Sequence, residues 1–261
     1  MKISVFASGS GGNCSLISSG NSNLLIDAGI SLRRIETAIR GLGLDRDDIS
    51  GVLVTHEHSD HVSGLKTMLK RWDVPIYAPA TVAERLVTML PEIAQRILLV
   101  SPGCPFQLAG FKVTAFRTPH DTRESVGYRV EADGIFALAT DLGHVTEEVL
   151  ENLTGADTVL IEANHDPDML KQGPYPFQLK QRILSDHGHL SNQSCGELAR
   201  YLVQHGTRQV ILGHISKDNN RPELALMEVR RRLGSLDAGV YCAPALGELS
   251  LAVKEGQTCW L

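Results

Sequence analysis

Short apolar or alternating runs, broken by glycine, serine and asparagine, open the chain. Residues 2–6, 14–18 and 23–26 carry this strand signature, and Ser31 then offers an N-cap to a helix whose Leu32, Ile35, Ile39 and Leu42 share one face until Gly43 closes it. Residues 51–54 read as a buried strand, 56–61 as the loop after it, and 62–72 as a helix with Leu65, Met68 and Leu69 inward. Further strands are predicted at 75–78, 97–100, 112–116, 125–131 and 135–139, with Asp133-Gly134 as a tight hairpin turn. Later helices are predicted near 81–90, 146–153, 191–205 and 222–233, and later strands at 158–161, 209–212, 239–242 and 249–253. This order is neither all-β nor a strict β-α repeat. Two sheets packed face to face, with helices outside, would bury all these apolar faces at once.

The chain has 261 residues, 43% of them hydrophobic, enough for an ordinary core, and shows no repeat, low-complexity run or linker. One domain spanning 1–261 is therefore expected, with the polar, proline-rich stretch 166–186 as an excursion over an active-site mouth rather than a domain boundary. A net charge of −5 argues against a surface coated for non-specific nucleic-acid binding, without excluding a local basic rim. Cys14, Cys104, Cys195, Cys242 and Cys259 are odd in number, widely spaced and free of any C-x-x-C pair, so free thiols in a reducing cytoplasm are expected. The first residues lack a signal-peptide pattern, and no apolar run is long enough to span a bilayer, so neither secretion nor membrane insertion is expected.

The densest chemistry lies in Thr55-His56-Glu57-His58-Ser59-Asp60-His61, which packs three imidazoles and a carboxylate ligand into six residues directly after a buried strand. Imidazole and carboxylate hold borderline divalent metals, and a tight loop can turn alternate side chains toward two neighbouring points. Three single residues follow later strands in the same way: His120 in Thr118-Pro119-His120-Asp121, Asp141 in Ala139-Thr140-Asp141, and His214 in Gly213-His214-Ile215-Ser216.

With these residues in this order the chain resembles the metallo-β-lactamase superfamily, which implies a four-layered αββα sandwich with a metal cleft. The resemblance assigns His56, His58 and His120 to one divalent ion, Asp60, His61 and His214 to another, and Asp141 between them. Two cations about 3.5–4 Å apart can share and ionise a water molecule, giving a hydrolytic nucleophile. Zinc suits imidazole-rich sites, while the carboxylates also accept manganese or iron. Asp27, in Leu25-Ile26-Asp27-Ala28-Gly29, matches the aspartate that supports the metal loop, and Asp121 is a weaker match of the same kind.

Glu162, at a strand end, and His189, before a helix, resemble the pair that serves the leaving oxygen in the nuclease branch of the superfamily. Asp60, Glu162 and His189 are accordingly the expected catalytic residues. The blocks Ala7-Ser8-Gly9-Ser10-Gly11-Gly12-Asn13-Cys14, Glu162-Ala163-Asn164-His165-Asp166 and Gly188-His189-Leu190-Ser191-Asn192 are similar to those of the YycJ/WalJ family of bacterial proteins. That resemblance implies a 5′ to 3′ DNA exonuclease with a part in DNA repair, and DNA or another phosphodiester as substrate. Ser10, His165, Lys180, Arg182 and Lys217 are expected to contact it, with His165 at the mouth of the site and Arg221 a further basic candidate. The interval between Asp141 and His214 is too short for the inserted domain of the β-CASP nucleases, and no arm for transfer RNA is evident. The other enzyme reading is hydrolysis of a small cyclic phosphodiester, thioester or lactone; a non-catalytic metal-binding protein would need a different explanation for the full ligand set.

Overall fold

A computed structural model describes residues 1–253. Cys259 lies outside them. Among the described residues the cysteines Cys14, Cys104, Cys195 and Cys242 are free, and no helix is long and apolar enough to cross a membrane.

Antiparallel strands β1 (Lys2–Ala7), β2 (Cys14–Ser19) and β3 (Ser22–Ile26) begin the first sheet. Helix α1 (Leu32–Gly41) then crosses to β4 (Ile49–Leu53), parallel to β3. After the short helices α2 (Ser59–Val62) and α3 (Leu65–Met68) come β5 (Ile76–Pro79), α4 (Ala80–Met89) and β6 (Ile97–Val100), which continue the sheet in parallel.

The second sheet starts with β7 (Phe106–Leu108), β8 (Phe111–Arg117), β9 (Val126–Glu131) and β10 (Ile135–Ala139), all antiparallel. It goes on through α5 (Glu147–Leu153), β11 (Thr158–Glu162), α6 (Pro167–Gln172), α7 (Phe177–Ile183), α8 (Asn192–Gln204), β12 (Gln209–Gly213), α9 (Pro222–Leu233) and β13 (Gly239–Cys242). The last strand, β14 (Leu249–Ala252), returns to pair with β1. The strand orders are 14-1-2-3-4-5-6 and 13-12-11-10-9-8-7.

Three apolar layers follow from this topology. Ile3, Ile17, Ile26, Tyr128, Phe136 and Ile211 fill the space between the sheets. Ile35, Met68 and Leu86 pack helices on the outer face of the first sheet, and Val149, Leu198 and Val229 do so on the second. The result is the expected αββα arrangement, with β3, β4, β10, β11 and β12 all ending at one edge.

Departures from the sequence reading have local causes. The helix expected at 62–72 starts earlier, at Ser59 within the expected loop 56–61, and breaks into α2 and α3 because Gly64 lies under the chain at Ala28–Ile30. Its amide donates to the Ala28 carbonyl at 2.8 Å, and a β-carbon there would meet the Ile30 carbonyl at 2.3 Å. The stretch 166–186, for which the pattern predicts no element, holds α6 and α7: Asp166 accepts from the Asp168 and Met169 amides and starts α6, with Pro167 at its first position. Strand β7, only three residues long, was not foreseen.

Candidate metal centre

Three strand ends enter the site in a backbone conformation that L-residues seldom adopt. Asp27 after β3, Asp141 after β10 and His214 after β12 have φ of 59°, 56° and 52°. Such strain persists only where the surroundings over-determine it. Here the Asp27 amide donates to the Leu53 carbonyl at 2.8 Å, and the His214 amide donates to Ser8 Oγ at 2.8 Å. The metal loop is clamped equally closely. The amide of Asn13 donates to the Asp60 carbonyl at 2.7 Å, and the amide of Ala28 donates to the His61 carbonyl at 2.9 Å. Gly29 makes this approach possible, since a β-carbon on it would fall 1.6 Å from the Asp60 carbonyl oxygen.

The seven expected ligands converge. His56 Nε2 and His58 Nδ1 are 3.1 Å apart, and both gather with His120. His61 Nε2 is 3.2 Å from Asp141 Oδ2 and 3.5 Å from Asp60 Oδ2. His214 Nε2 lies 3.6 Å from Asp60 Oδ2 and 3.6 Å from Asp141 Oδ1, and His120 Nε2 lies 3.7 Å from Asp141 Oδ1. Metal–ligand bonds of about 2.0–2.1 Å in a tetrahedron put neighbouring donors about 3.3 Å apart, so this spacing is that of coordination edges. Asp141 Oδ2 and His214 Nε2 are buried and make no hydrogen bond among the described residues. Buried polar atoms are rarely left so, and a cation at the centre would satisfy both. The residues present therefore fit divalent ions.

The outward faces of the imidazoles tell the same story. His61 Nδ1 meets Asp27 Oδ2 at 2.8 Å, His214 Nδ1 meets Glu162 Oε1 at 2.9 Å, His120 Nδ1 meets the Gly188 carbonyl at 3.2 Å, and His56 Nδ1 meets Thr55 Oγ1 at 3.1 Å. Each contact fixes ring orientation, as partners behind metal-bound histidines do. Burial lowers His56 and His120 below the ordinary histidine range. At His61 burial also lowers the pKa, but Asp27 and Asp141 outweigh it and raise it to about 10; carboxylates raise His214 likewise. A cluster this rich in carboxylate favours positive charge at its centre.

Glu162 holds more than the sequence implied. Fully buried at the end of β11, it accepts from His189 Nδ1 at 2.7 Å as well as from His214 through Oε1, while Oε2 accepts the Leu142 and Leu190 amides at 2.8 and 3.1 Å. Burial alone would raise its carboxyl, yet His189 and His214 bring it to about 2. Burial opposes charge on His189, but Glu162 outweighs it and raises that pKa. His189 does not cap α8; Ser191 does, accepting the Ser194 amide at 3.2 Å.

A cavity of about 220 Å³ opens over the cluster, lined by Ser10, His120, Tyr175, Arg182, His189 and His214 among others. Arg182 pairs with Asp121, whose Oδ1 is 3.2 Å from His120 Nε2. Lys217 is exposed, with its Nζ 3.6 Å from where a β-carbon on Gly11 would lie. Lys180 turns away and donates to the Lys171 carbonyl at 2.7 Å, and Arg221 is exposed at the N-cap of α9. The expectation for His165 needs correcting. It is 2% exposed, does not line the cavity, and burial holds it at about 4, because its backbone is tied between Ser191 and Asn192 inside the fold. Two side chains escaped the sequence reading. Asn13 Nδ2 lies 3.0 Å from His61 Nε2, and Asn164 Nδ2 donates to the His214 carbonyl at 3.0 Å. Both sit inside quoted blocks, but an asparagine in a turn carries no ligand signal.

Comparison with known proteins agrees with this geometry. The Beta-lactamase superfamily domain family matches residues 22–215. The chain belongs to this superfamily. Exodeoxyribonuclease YycJ of Bacillus anthracis is 35% identical over 244 residues, 92% of each chain. Exodeoxyribonuclease WalJ of Streptococcus pneumoniae is 34% identical over 245 residues, 92% of this chain and 90% of that one. Among solved structures, Zn(2+)-bound PqqB from Methylobacterium extorquens shares the fold with a TM-score of 0.73, at 20% identity over 97% of this chain and 100% of that one. Within the superfamily, this chain thus aligns over nearly its full length with exonuclease-named relatives.

Proposed function

We propose that the protein is a metal-dependent phosphodiesterase, a DNA exonuclease acting from the 5′ end, working as one domain in the cytoplasm with a part in DNA repair. The observation that carries the reading is Glu162 gripping His189 over the cavity, in a chain related throughout its length to exodeoxyribonucleases. His56, His58 and His120 would hold one divalent ion, Asp60, His61 and His214 a second, and Asp141 would lie between them. Zinc or manganese suits this donor set, with iron admitted by the carboxylates. When bound, the ions supply the Lewis acidity that makes water nucleophilic and offsets charge on a phosphoryl group.

The chain's own residues do the rest. His189 offers Nε2 to the leaving oxygen while Glu162 stabilises the charged ring, so the alkoxide departs protonated. Asp60, its carboxylate pKa lowered by His214 and His61 against the effect of burial, stays ionised beside the reacting phosphate and orients a proton of the attacking water. Arg182, paired with Asp121 at the cavity wall, and Ser10 beside it would receive the phosphate. Lys217 lies above the glycine-rich loop as a third contact, whereas Lys180 and the buried His165 would serve the substrate only through the segments that they anchor.

Purified protein, loaded with each metal in turn and checked by elemental analysis, should degrade 5′-phosphorylated DNA and stop when chelated. Turnover of a small thioester, lactone or cyclic phosphodiester without DNA degradation would overturn this reading in favour of the small-molecule one.

A further inference from the structure

The cavity over the metal cluster is small, and α7 walls one side of it with Leu179, Arg182 and Ile183. Gly188 packs hard against that wall, since a β-carbon on it would meet the Ile183 carbonyl oxygen at 2.2 Å. On the side of Asp121 the surface continues instead. Asp121 lines both this cavity and a groove of about 570 Å³, whose other walls include His58, Ser59, Arg85, Met89 and Arg123. His58 is one of the seven converging side chains, and its Nε2 is 3.9 Å from Asp121 Oδ1. The groove therefore begins at the metal cluster itself.

Cations are outermost in this groove. Arg85 is half exposed, with its Nε 3.8 Å from Glu57 Oε1, but the Glu57 side chain is only 12% exposed and both its oxygens accept the Thr122 hydroxyl, at 2.8 and 2.9 Å. Arg123 is exposed and makes no ion pair among the described residues. Asp121, the other carboxylate on the groove, is paired with Arg182. Met89 lies one turn beyond Arg85 on the same face of α4 and is 51% exposed, which adds an apolar contact. In a chain of net charge −5, two guanidiniums facing solvent beside the metal cluster form a local basic site.

We infer that this groove holds the DNA strand that continues past the scissile phosphate, with Arg85 and Arg123 on its phosphates, while the cavity beside α7 takes the terminal nucleotide. The inference rests on the nuclease reading above for its substrate. A polymer whose phosphate reaches the metal cluster must leave the cavity somewhere, and the groove that shares Asp121 and His58 with the cluster offers that exit. Guanidiniums match phosphate oxygens in pairs. Contacts of this kind position the backbone and carry no sequence information, so strands of any sequence should bind. A small ester or cyclic phosphodiester would occupy the cavity and leave the groove unused.

The test uses the metal-loaded full chain and Arg85→Ala/Arg123→Ala. Both side chains are exposed, so the variant should fold, which circular dichroism checks, and should keep its metal by elemental analysis. Arg33→Ala/Arg34→Ala is the control, since it removes the same charge from exposed positions of α1 that line neither the groove nor the cavity. Affinity for a fluorescent single-stranded phosphorothioate oligonucleotide, which resists cleavage, is read by anisotropy across a salt series. Alongside it, kcat/KM is measured for a long 5′-phosphorylated strand and for a 5′-phosphorylated dinucleotide. The groove variant should bind the oligonucleotide about tenfold more weakly, with a log–log salt slope shallower by about 1.4, two contacts at about 0.7 each. Its kcat/KM should fall by a similar factor on the long strand and stay unchanged on the dinucleotide, while the control matches the wild type throughout. If the wild type degrades DNA but the groove variant keeps its affinity and slope, or the control loses as much, the groove assignment is overturned and the nuclease reading stands. Loss of metal from the groove variant would make the arginines supports of His58 and overturn the assignment too. If the wild type binds the strand through Arg85 and Arg123 without cutting it, the groove stands and the nuclease reading falls. If it neither binds nor cuts DNA, both fall.

Discussion

Glu162 is the side chain on which two tasks meet, since one oxygen receives both His189, over the cavity, and His214, in the metal cluster. The two tasks separate on mutation. His189→Ala removes the proposed proton donor alone: cleavage should fall about 10²- to 10⁴-fold, with both metals retained in elemental analysis. Glu162→Gln also loosens the ring of His214, so metal affinity should drop about 10- to 100-fold as well. Equal metal retention in the two variants would mean that Glu162 does not support His214. The same logic separates residues legible in sequence from those that were not. His56, His58 and His61 announce themselves by their density, whereas Asn13 and Asn164 act through position alone, and position belongs to the fold.

At the level of elements, the strands and long helices followed the hydrophobic rhythm closely because each buries one face against a sheet. The rhythm misled where a distant segment intervened. Residues 62–72 keep a helical pattern, but Gly64 admits the chain at Ala28–Ile30, and the helix splits there. Gly29 is subject to the same crossing from the other side. Gly29→Ala should push the Asp60 carbonyl away, lowering metal content and costing about 1–3 kcal/mol, as over-packing does. Gly41→Ala is the control, since the end of α1 has open space around it; there the change should be neutral or stabilise by up to about 1 kcal/mol. Urea unfolding of both variants measures the contrast, and similar effects would remove the steric account of the loop.

Across the whole molecule, the two sheets bring strand ends from both halves to one edge, so a cation there ties the halves together. Ligand binding to the folded state alone stabilises it by about 2.7 kcal/mol when the free ion is at 100 times its dissociation constant. At about 2–4 °C per kcal/mol for a chain of this size, saturating metal should raise the thermal midpoint by roughly 5–10 °C over the chelated protein. Calorimetry with and without chelator would show it; an unshifted midpoint would mean that the seven residues do not hold an ion in the folded state.

The sequence by itself determined the αββα layering, through residue periodicity, and marked His56, His58, Asp60 and His61 as candidate ligands, through a density of imidazole and carboxylate that has little structural use, whereas His120, Asp141 and His214 were marked only by the resemblance to the superfamily. Tertiary structure alone decided that His165 is buried, that Lys180 bonds to the Lys171 carbonyl, and that Glu162 serves two histidines. The physical reason is one of range. Periodicity and composition register which face of an element meets apolar neighbours, but the direction of a polar side chain depends on chain segments that only folding brings beside it.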